Sequence, residues 1–139
     1  MARVLVVDDE PGVLLPLRQV LKKAGHSVTT AESLDAAVAA FSLEPAHLVL
    51  VDKNLPGATG FDVIERLRRV DPELPAILMT AYPEPLLGAK IKLQGYLPKP
   101  MDPISIITDS VNRALSFGRR SGTRDTPPQV PAVPARKGE

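Results

Sequence analysis

The sequence predicts an α/β protein built on a five-stranded parallel sheet, doubly wound, with helices on both faces. Three observations carry this. Apolar runs without polar alternation recur at Val4–Val7, Leu48–Val51 and, more weakly, Ala76–Met79, the pattern of strands buried on both faces. Segments with a period near 3.6 residues lie between the strands. Five strands alternating with five helices imply parallel strands joined by crossover helices, and the chain up to Gly118 has the length for them.

The elements follow in order. Val4–Val7 is the first strand. Val13, Leu17, Val20, Leu21 and Ala24 share the face of the first helix, and Gly25 is placed to stop it. Pro16 lies inside that helix, where it removes a backbone hydrogen bond and predicts a kink or a delayed start. His26–Thr30 is the second strand. Ser33 is placed to cap the second helix, whose face is Leu34, Ala37, Val38 and Phe41. Leu48–Val51 is the third strand. Phe61, Ile64 and Leu67 form the stripe of the third helix, with Arg68 on its polar border. Ala76–Met79 and Tyr96–Leu97 are the last two strands. Ile104, Ile107, Val111, Ala114 and Leu115 line the final helix.

Composition narrows the function. The 139 residues make one domain, expected over residues 1–118. Cysteine is absent, which excludes disulfides, thiol nucleophiles and cysteine metal sites. A net charge of +1 is neither that of a polycation nor of an acidic tail protein. Aromatics are only 4%, too few for a stacking platform on single-stranded nucleic acid. No apolar run approaches the roughly 20 residues of a bilayer span, and the first residues do not read as a signal peptide. A cytoplasmic protein without direct nucleic-acid or membrane binding is expected. Residues 119–139 combine Pro127, Pro128, Pro131 and Pro134 with five basic and two acidic residues. They read as a disordered, proline-rich basic tail or linker.

Doubly wound sheets place their sites at the carboxyl ends of the strands. Asp8, Asp9 and Glu10 follow the first strand, Asp52 the third, Thr80 the fourth and Lys99 the fifth. Each has an ordinary explanation. Asp9 suits a helix cap before Pro11, and Asp52 an Asx turn leading into Pro56-Gly57. Thr80 suits a cap or turn, and Lys99 a solvated loop. Those explanations do not account for all of them meeting at one sheet edge. Three clustered carboxylates repel one another, and Mg2+ resolves the repulsion through oxygen ligands and phosphate. Neither His26 nor His47 falls at these ends, so zinc is disfavoured and both histidines read as surface or structural. A carboxylate beside a cation can act as a nucleophile toward a phosphoryl group. Lys99 would pair with the phosphate charge, and Thr80 would donate to one of its oxygens.

Four segments in order, Val4-Leu-Val-Val-Asp-Asp-Glu-Pro11, Leu50-Val-Asp-Lys-Asn-Leu-Pro-Gly57 with Gly60 following, Met79-Thr-Ala81 and Tyr96-Leu-Pro-Lys-Pro100, resemble the receiver domain of two-component response regulators, the CheY-like family. The resemblance covers roughly residues 2–117 and implies a flavodoxin-like (βα)5 fold. It implies Asp52 as the phosphoaccepting aspartate. It implies Asp8, Asp9, Asp52 and the backbone carbonyl of Asn54 as Mg2+ ligands, with Asp9 a direct one. Thr80 and Lys99 would bind and sense the phosphoryl group, and Tyr96 would be the switch aromatic. A histidine kinase or phosphotransfer protein would be the donor and a downstream protein the target. The chain would be a signalling switch rather than an enzyme, though it contributes to its own phosphorylation and dephosphorylation. Lys99-Pro100 is a candidate cis bond. The sequence departs from the family between Thr80 and Lys99. That span is a few residues short, the usual Gly-Ala pair is replaced by Leu93-Gln-Gly95, and Pro83 and Pro85 stand near its start. An irregular or shortened fourth helix is expected. Lys53 and Tyr82 neighbour the expected phosphorylation site.

Three other kinds of protein share parts of this pattern. A flavin carrier would bind phosphate at the first helix N-terminus, where Asp8, Asp9 and Glu10 would repel it. An aspartate-nucleophile phosphatase needs a second aspartate two positions after the nucleophile, and neither Asp9 nor Asp52 has one. The third rival is a constitutive protein-interaction adaptor, a pseudo-receiver in which phosphorylation is vestigial.

Overall fold

The computed structural model describes residues 2–81, 91–99 and 104–119. Its elements are β1 (Arg3–Val7), α1 (Pro11–Lys23), β2 (Ser27–Ala31), α2 (Leu34–Leu43), β3 (Leu48–Asp52), β4 (Asn54–Leu55), β5 (Ala58–Thr59), α3 (Gly60–Leu67), β6 (Ala76–Thr80), β7 (Gly95–Pro98) and α4 (Ser105–Arg119). Five strands form one parallel sheet in the order β2-β1-β3-β6-β7. The chain lays β2 on one side of β1 and β3 on the other, so a switch in strand order falls between β1 and β3. This is the doubly wound fold expected from the sequence. The expected fourth helix, Pro100 of the candidate cis bond, Tyr82, and the tail beyond Arg119 lie outside the described residues.

Strict alternation sends successive strand residues to opposite faces. Leu5, Val7, Val49, Val51 and Leu78 join a core with Ala37 and Phe41 of α2 and Val63, Ile64 and Leu67 of α3. Val4, Val6, Leu48, Leu50, Ile77 and Met79 join a second core with Leu14, Leu17 and Leu21 of α1 and Ile107, Val111 and Ala114 of α4. Both faces are therefore covered, and the central strands need no polar residue along their length.

Helix α1 departs from expectation in three ways. It runs unbroken from Pro11 to Lys23 with Pro16 inside, so its start is not delayed. Pro16 denies a donor only to the carbonyl of Gly12, and both residues are exposed, where water can serve that oxygen. The N-cap is Glu10, not Asp9, and no side chain caps the helix. Leu17 and Leu21 of the expected face are buried with Leu14, and Val13 and Val20 pack partly buried beside them, while Ala24 is the exposed C-cap. Gly25 ends the helix as expected. At φ +99° it lets its own N–H reach the Lys22 carbonyl and that of His26 reach the Leu21 carbonyl, both at 3.0 Å.

Ser33 caps α2, its Oγ accepting from the N–H of Ala36 at 3.1 Å. Helix α3 begins with a capping box that joins Thr59 and Asp62. Ile104 precedes α4 rather than joining it, and is 56% exposed. Both histidines are structural. Nδ1 of His26 accepts from the N–H of Ala2 at 3.1 Å, and Nδ1 of His47 from that of Arg3 at 2.9 Å. They complete the amino-terminal end of β1, the end of the sheet opposite the candidate site.

Candidate functional site

The carboxyl ends of β1, β3, β6 and β7 meet at an open pocket of about 790 Å³, lined by Asp9, Glu10, Asp52, Lys53, Asn54, Thr80, Ala81 and Lys99. Backbone hydrogen bonds extend the ladders past the strand ends and set the positions of these residues. Asp8 N–H donates to the Ala31 carbonyl at 3.0 Å, Lys53 N–H to Met79 at 2.9 Å, and Lys99 N–H to Thr80 at 3.0 Å. Asp52 is the last residue of β3 and 8% exposed. Its Oδ1 accepts from the N–H of Asn54 at 3.4 Å. Behind it the Leu55–Ala58 turn closes the short antiparallel pair β4–β5, with Pro56 followed by Gly57 at φ +72°, the residue types of a type II turn. Gly60 then passes against the Asp52 backbone, and its N–H donates to the Lys53 carbonyl at 2.8 Å.

The Lys99 ammonium sits among three carboxylates. Nζ lies 3.1 Å from Asp8 Oδ2, 2.9 Å from Glu10 Oε1 and 3.4 Å from Asp52 Oδ2. Asp8 is fully buried, and its other oxygen accepts from the N–H of Glu10 at 2.9 Å. Burial pushes the Asp8 carboxyl above the usual carboxylate range, against the pull of that N–H and of Lys99. Burial also works against the Lys99 charge, but its hydrogen bonds with Glu10 and Asp8 outweigh this and hold its pKa above that of an ordinary lysine. One ammonium shared by three carboxylates leaves two net negative charges.

The chemistry of this donor set fits a hard divalent cation. Carboxylate oxygens of Asp8, Glu10 and Asp52 lie within 4.8 Å of one another, and Mg2+ takes oxygen ligands while keeping several waters. Of the residues expected from the sequence, Asp8, Asp52, Thr80 and Lys99 come together at one edge. Asp9 and Asn54 line the same pocket but are exposed. Tyr96 stands on β7 and is 44% exposed. Sequence reasoning gave Glu10 no individual role. Its signal was its place directly after the Asp8-Asp9 pair, where it reads as an ordinary residue before a helix.

Fold and site together define a module of two-component signalling. The family model for the response regulator receiver domain matches residues 4–110, and the chain belongs to that family. Receiver domains are signalling switches rather than conventional enzymes, and they hold Mg2+ at an acidic pocket such as this one. Among curated proteins the chain is similar to the uncharacterized transcriptional regulatory protein YkoG of Bacillus subtilis, 35% identical over 129 residues, which are 87% of this chain and 53% of that protein. It is also similar to sporulation initiation phosphotransferase F of Bacillus subtilis, 33% identical over 116 residues, which are 81% of this chain and 93% of that protein. Among solved structures it resembles the chemotaxis response regulator CheY4 of Vibrio cholerae, with a TM-score of 0.75 and 27% identity, covering 82% of this chain and 98% of that one. The chain spans about half the length, or less, of several matched regulators. Some are named as DNA-binding regulators, so the expectation of no nucleic-acid contact gains no support from them. Among the described residues no helix is long and apolar enough to cross a membrane.

Proposed function

We propose that the chain is a phosphorylation-controlled receiver switch, with residues 1–118 as the receiver and residues 119–139 as a proline-rich basic tail. The observation that carries this reading is the reach of Lys99 Nζ to both Asp52 and Asp8 at the switch point of the sheet. Asp52 is the phosphoacceptor. One of its carboxylate oxygens forms a bond to phosphorus as the phosphorus–nitrogen bond of a phosphohistidine donor breaks, and the electron pair of that bond stays with the imidazole. Lys99 neutralises phosphoryl charge, and Thr80 offers its hydroxyl to a phosphoryl oxygen. Asp8, Asp9, Asp52 and the carbonyl of Asn54 would hold Mg2+, which supplies charge neutralisation for the phosphoryl oxygens. The donor is a cytoplasmic histidine kinase or phosphotransfer protein. Tyr96, exposed on β7 beside Leu97, relays the new state to a protein-binding face. The phosphoryl contacts supply the differential affinity that any two-state switch requires.

The test is intact mass after incubation with Mg2+ and acetyl phosphate. The native chain gains one phosphoryl group, while Asp52→Asn and a chelator-treated sample gain none. A native chain that stays unmodified with both acetyl phosphate and its kinase, yet still binds a protein partner, would be a constitutive adaptor.

A further inference from the structure

We propose that Glu10 is an autoinhibitory latch: its carboxylate holds Lys99 in the unmodified chain and must let go before Lys99 can bind a phosphoryl group on Asp52. The inference rests on the reading of Asp52 and Lys99 given above. A lysine ammonium has three N–H donors. Here three carboxylates surround it, Asp8 at 3.1 Å, Glu10 at 2.9 Å and Asp52 at 3.4 Å. Only Asp8 and Glu10 hold it by hydrogen bonds, while Asp52 stands off as an ion pair, so Lys99 turns toward a phosphoryl group on Asp52 by giving up one of those two.

The three differ in what release costs. Asp8 is fully buried and pinned through its other oxygen to the Glu10 N–H, so its release strands a charge away from water. Asp52 carries the phosphoryl group itself. The side chain of Glu10 is 59% exposed, so water solvates its carboxylate as soon as the contact opens. Glu10 thus makes the shortest of the three contacts and is the cheapest to release. The backbone gives that side chain no other use. Glu10 occupies the N-cap of α1, yet makes no cap hydrogen bond with its side chain. Pro11 follows it and favours an extended backbone, which Glu10 adopts at φ −104° and ψ 113°. The carboxylate instead accepts from Lys99 Nζ across the pocket.

The experiment compares the full native chain with Glu10→Gln and Glu10→Asp. The glutamine removes the charge. The aspartate keeps it but shortens the arm by one methylene, which takes it out of reach of Lys99. Intact mass follows Asp52 phosphorylation by acetyl phosphate at Mg2+ concentrations that saturate each protein. Both variants are expected to react about two- to fivefold faster than the native chain, the factor set by release of one exposed ion pair. In the metal-free protein, the Lys99 ammonium nitrogen resonance is expected to move in Glu10→Asp. Native rates in both variants, with only the required Mg2+ concentration changed, would make Glu10 a metal ligand and overturn the latch. A faster Glu10→Gln beside an unchanged Glu10→Asp would reduce the effect to repulsion of the anionic donor and also overturn it. A native chain that takes up no phosphoryl group refutes the receiver chemistry itself, an outcome distinct from equal rates.

Discussion

Gly60 lies so close to Asp52 that a Cβ on it would sit 2.5 Å from the Asp52 carbonyl oxygen and 2.9 Å from Leu78 Cδ1. The first residue of α3 thus backs the candidate phosphoacceptor. Gly60→Ala must push the Asp52 backbone or the helix aside, and is expected to cost about 1–3 kcal/mol. Urea denaturation measures the loss, and phosphorylation by acetyl phosphate should slow along with it. Gly57→Ala provides the contrast. Its Cβ meets nothing within 4 Å, and its penalty comes from φ +72° alone, so stability falls by about 1–2 kcal/mol while the rate stays near native.

Lys99→Ala leaves Asp8, Glu10 and Asp52 without their shared ammonium. The metal-free variant is expected to be less stable than the native chain by about 1–3 kcal/mol, the range for stranding a buried polar group. Mg2+ should raise its melting temperature more than it raises that of the native chain, because the ion takes over charge that Lys99 no longer balances. Thermal melts with and without Mg2+ measure the difference, and equal gains would refute the prediction.

His26 gives the fold a defined pH dependence at the end of the sheet away from the pocket. Burial lowers its pKa from the ordinary value of 6.5, and its Nδ1 must stay unprotonated to accept from Ala2. A group with a depressed folded pKa that is neutral when deprotonated binds its proton more readily in the unfolded chain. The stability it contributes is therefore complete above about pH 6.5 and is lost as pH falls below that value. Urea midpoints at pH 7.5 and pH 5.5 should differ less in His26→Asn, which keeps an acceptor but cannot titrate.

Gln94 ties α3 to the start of β7. Its Oε1 accepts from the N–H of Ala76 at 2.8 Å and from Arg68 Nη2 at 3.2 Å, while its own N–H donates to the Ala76 carbonyl at 2.8 Å. Gln94→Leu removes the acceptor and leaves the amide of fully buried Ala76 without it. A loss of about 1–3 kcal/mol is expected. Hydrogen exchange should rise first in β7, the strand that carries Tyr96.

The fold was legible because β1, β3 and β6 are buried on both faces, and a run such as Leu48–Val51 has no other stable place. The ends of those runs then marked Asp8, Asp52 and Thr80, and the weaker run Tyr96–Leu97 marked Lys99, without knowledge of any distance. Contacts that depend on a side chain's direction were not legible. Glu10 reads as a helix-start residue, and only the pocket geometry turns it toward Lys99. His26 reads as the first residue of a strand, yet β2 begins at Ser27 and the imidazole serves β1. Arg68 reads as a polar border, but its Nε and Nη2 both donate to the Leu74 carbonyl, a partner set by how the chain returns after α3. Pro16 misled for a related reason. Its local cost is real, but the exposed carbonyl it deprives lies where solvent meets the need.

The bond between Lys99 and Asp8 joins residues 91 positions apart. During synthesis the acids of the first and third strands leave the ribosome long before this lysine does. A partly made chain that ends before Lys99 carries Asp8, Glu10 and Asp52 without the positive charge they share in the finished fold. Closing so long a loop carries a larger entropic cost than the local contacts around it do. On the reading proposed above, a copy that ends before β7 keeps Asp8, Glu10 and Asp52 but lacks the one cation they share, and with it the group that would receive the phosphoryl charge.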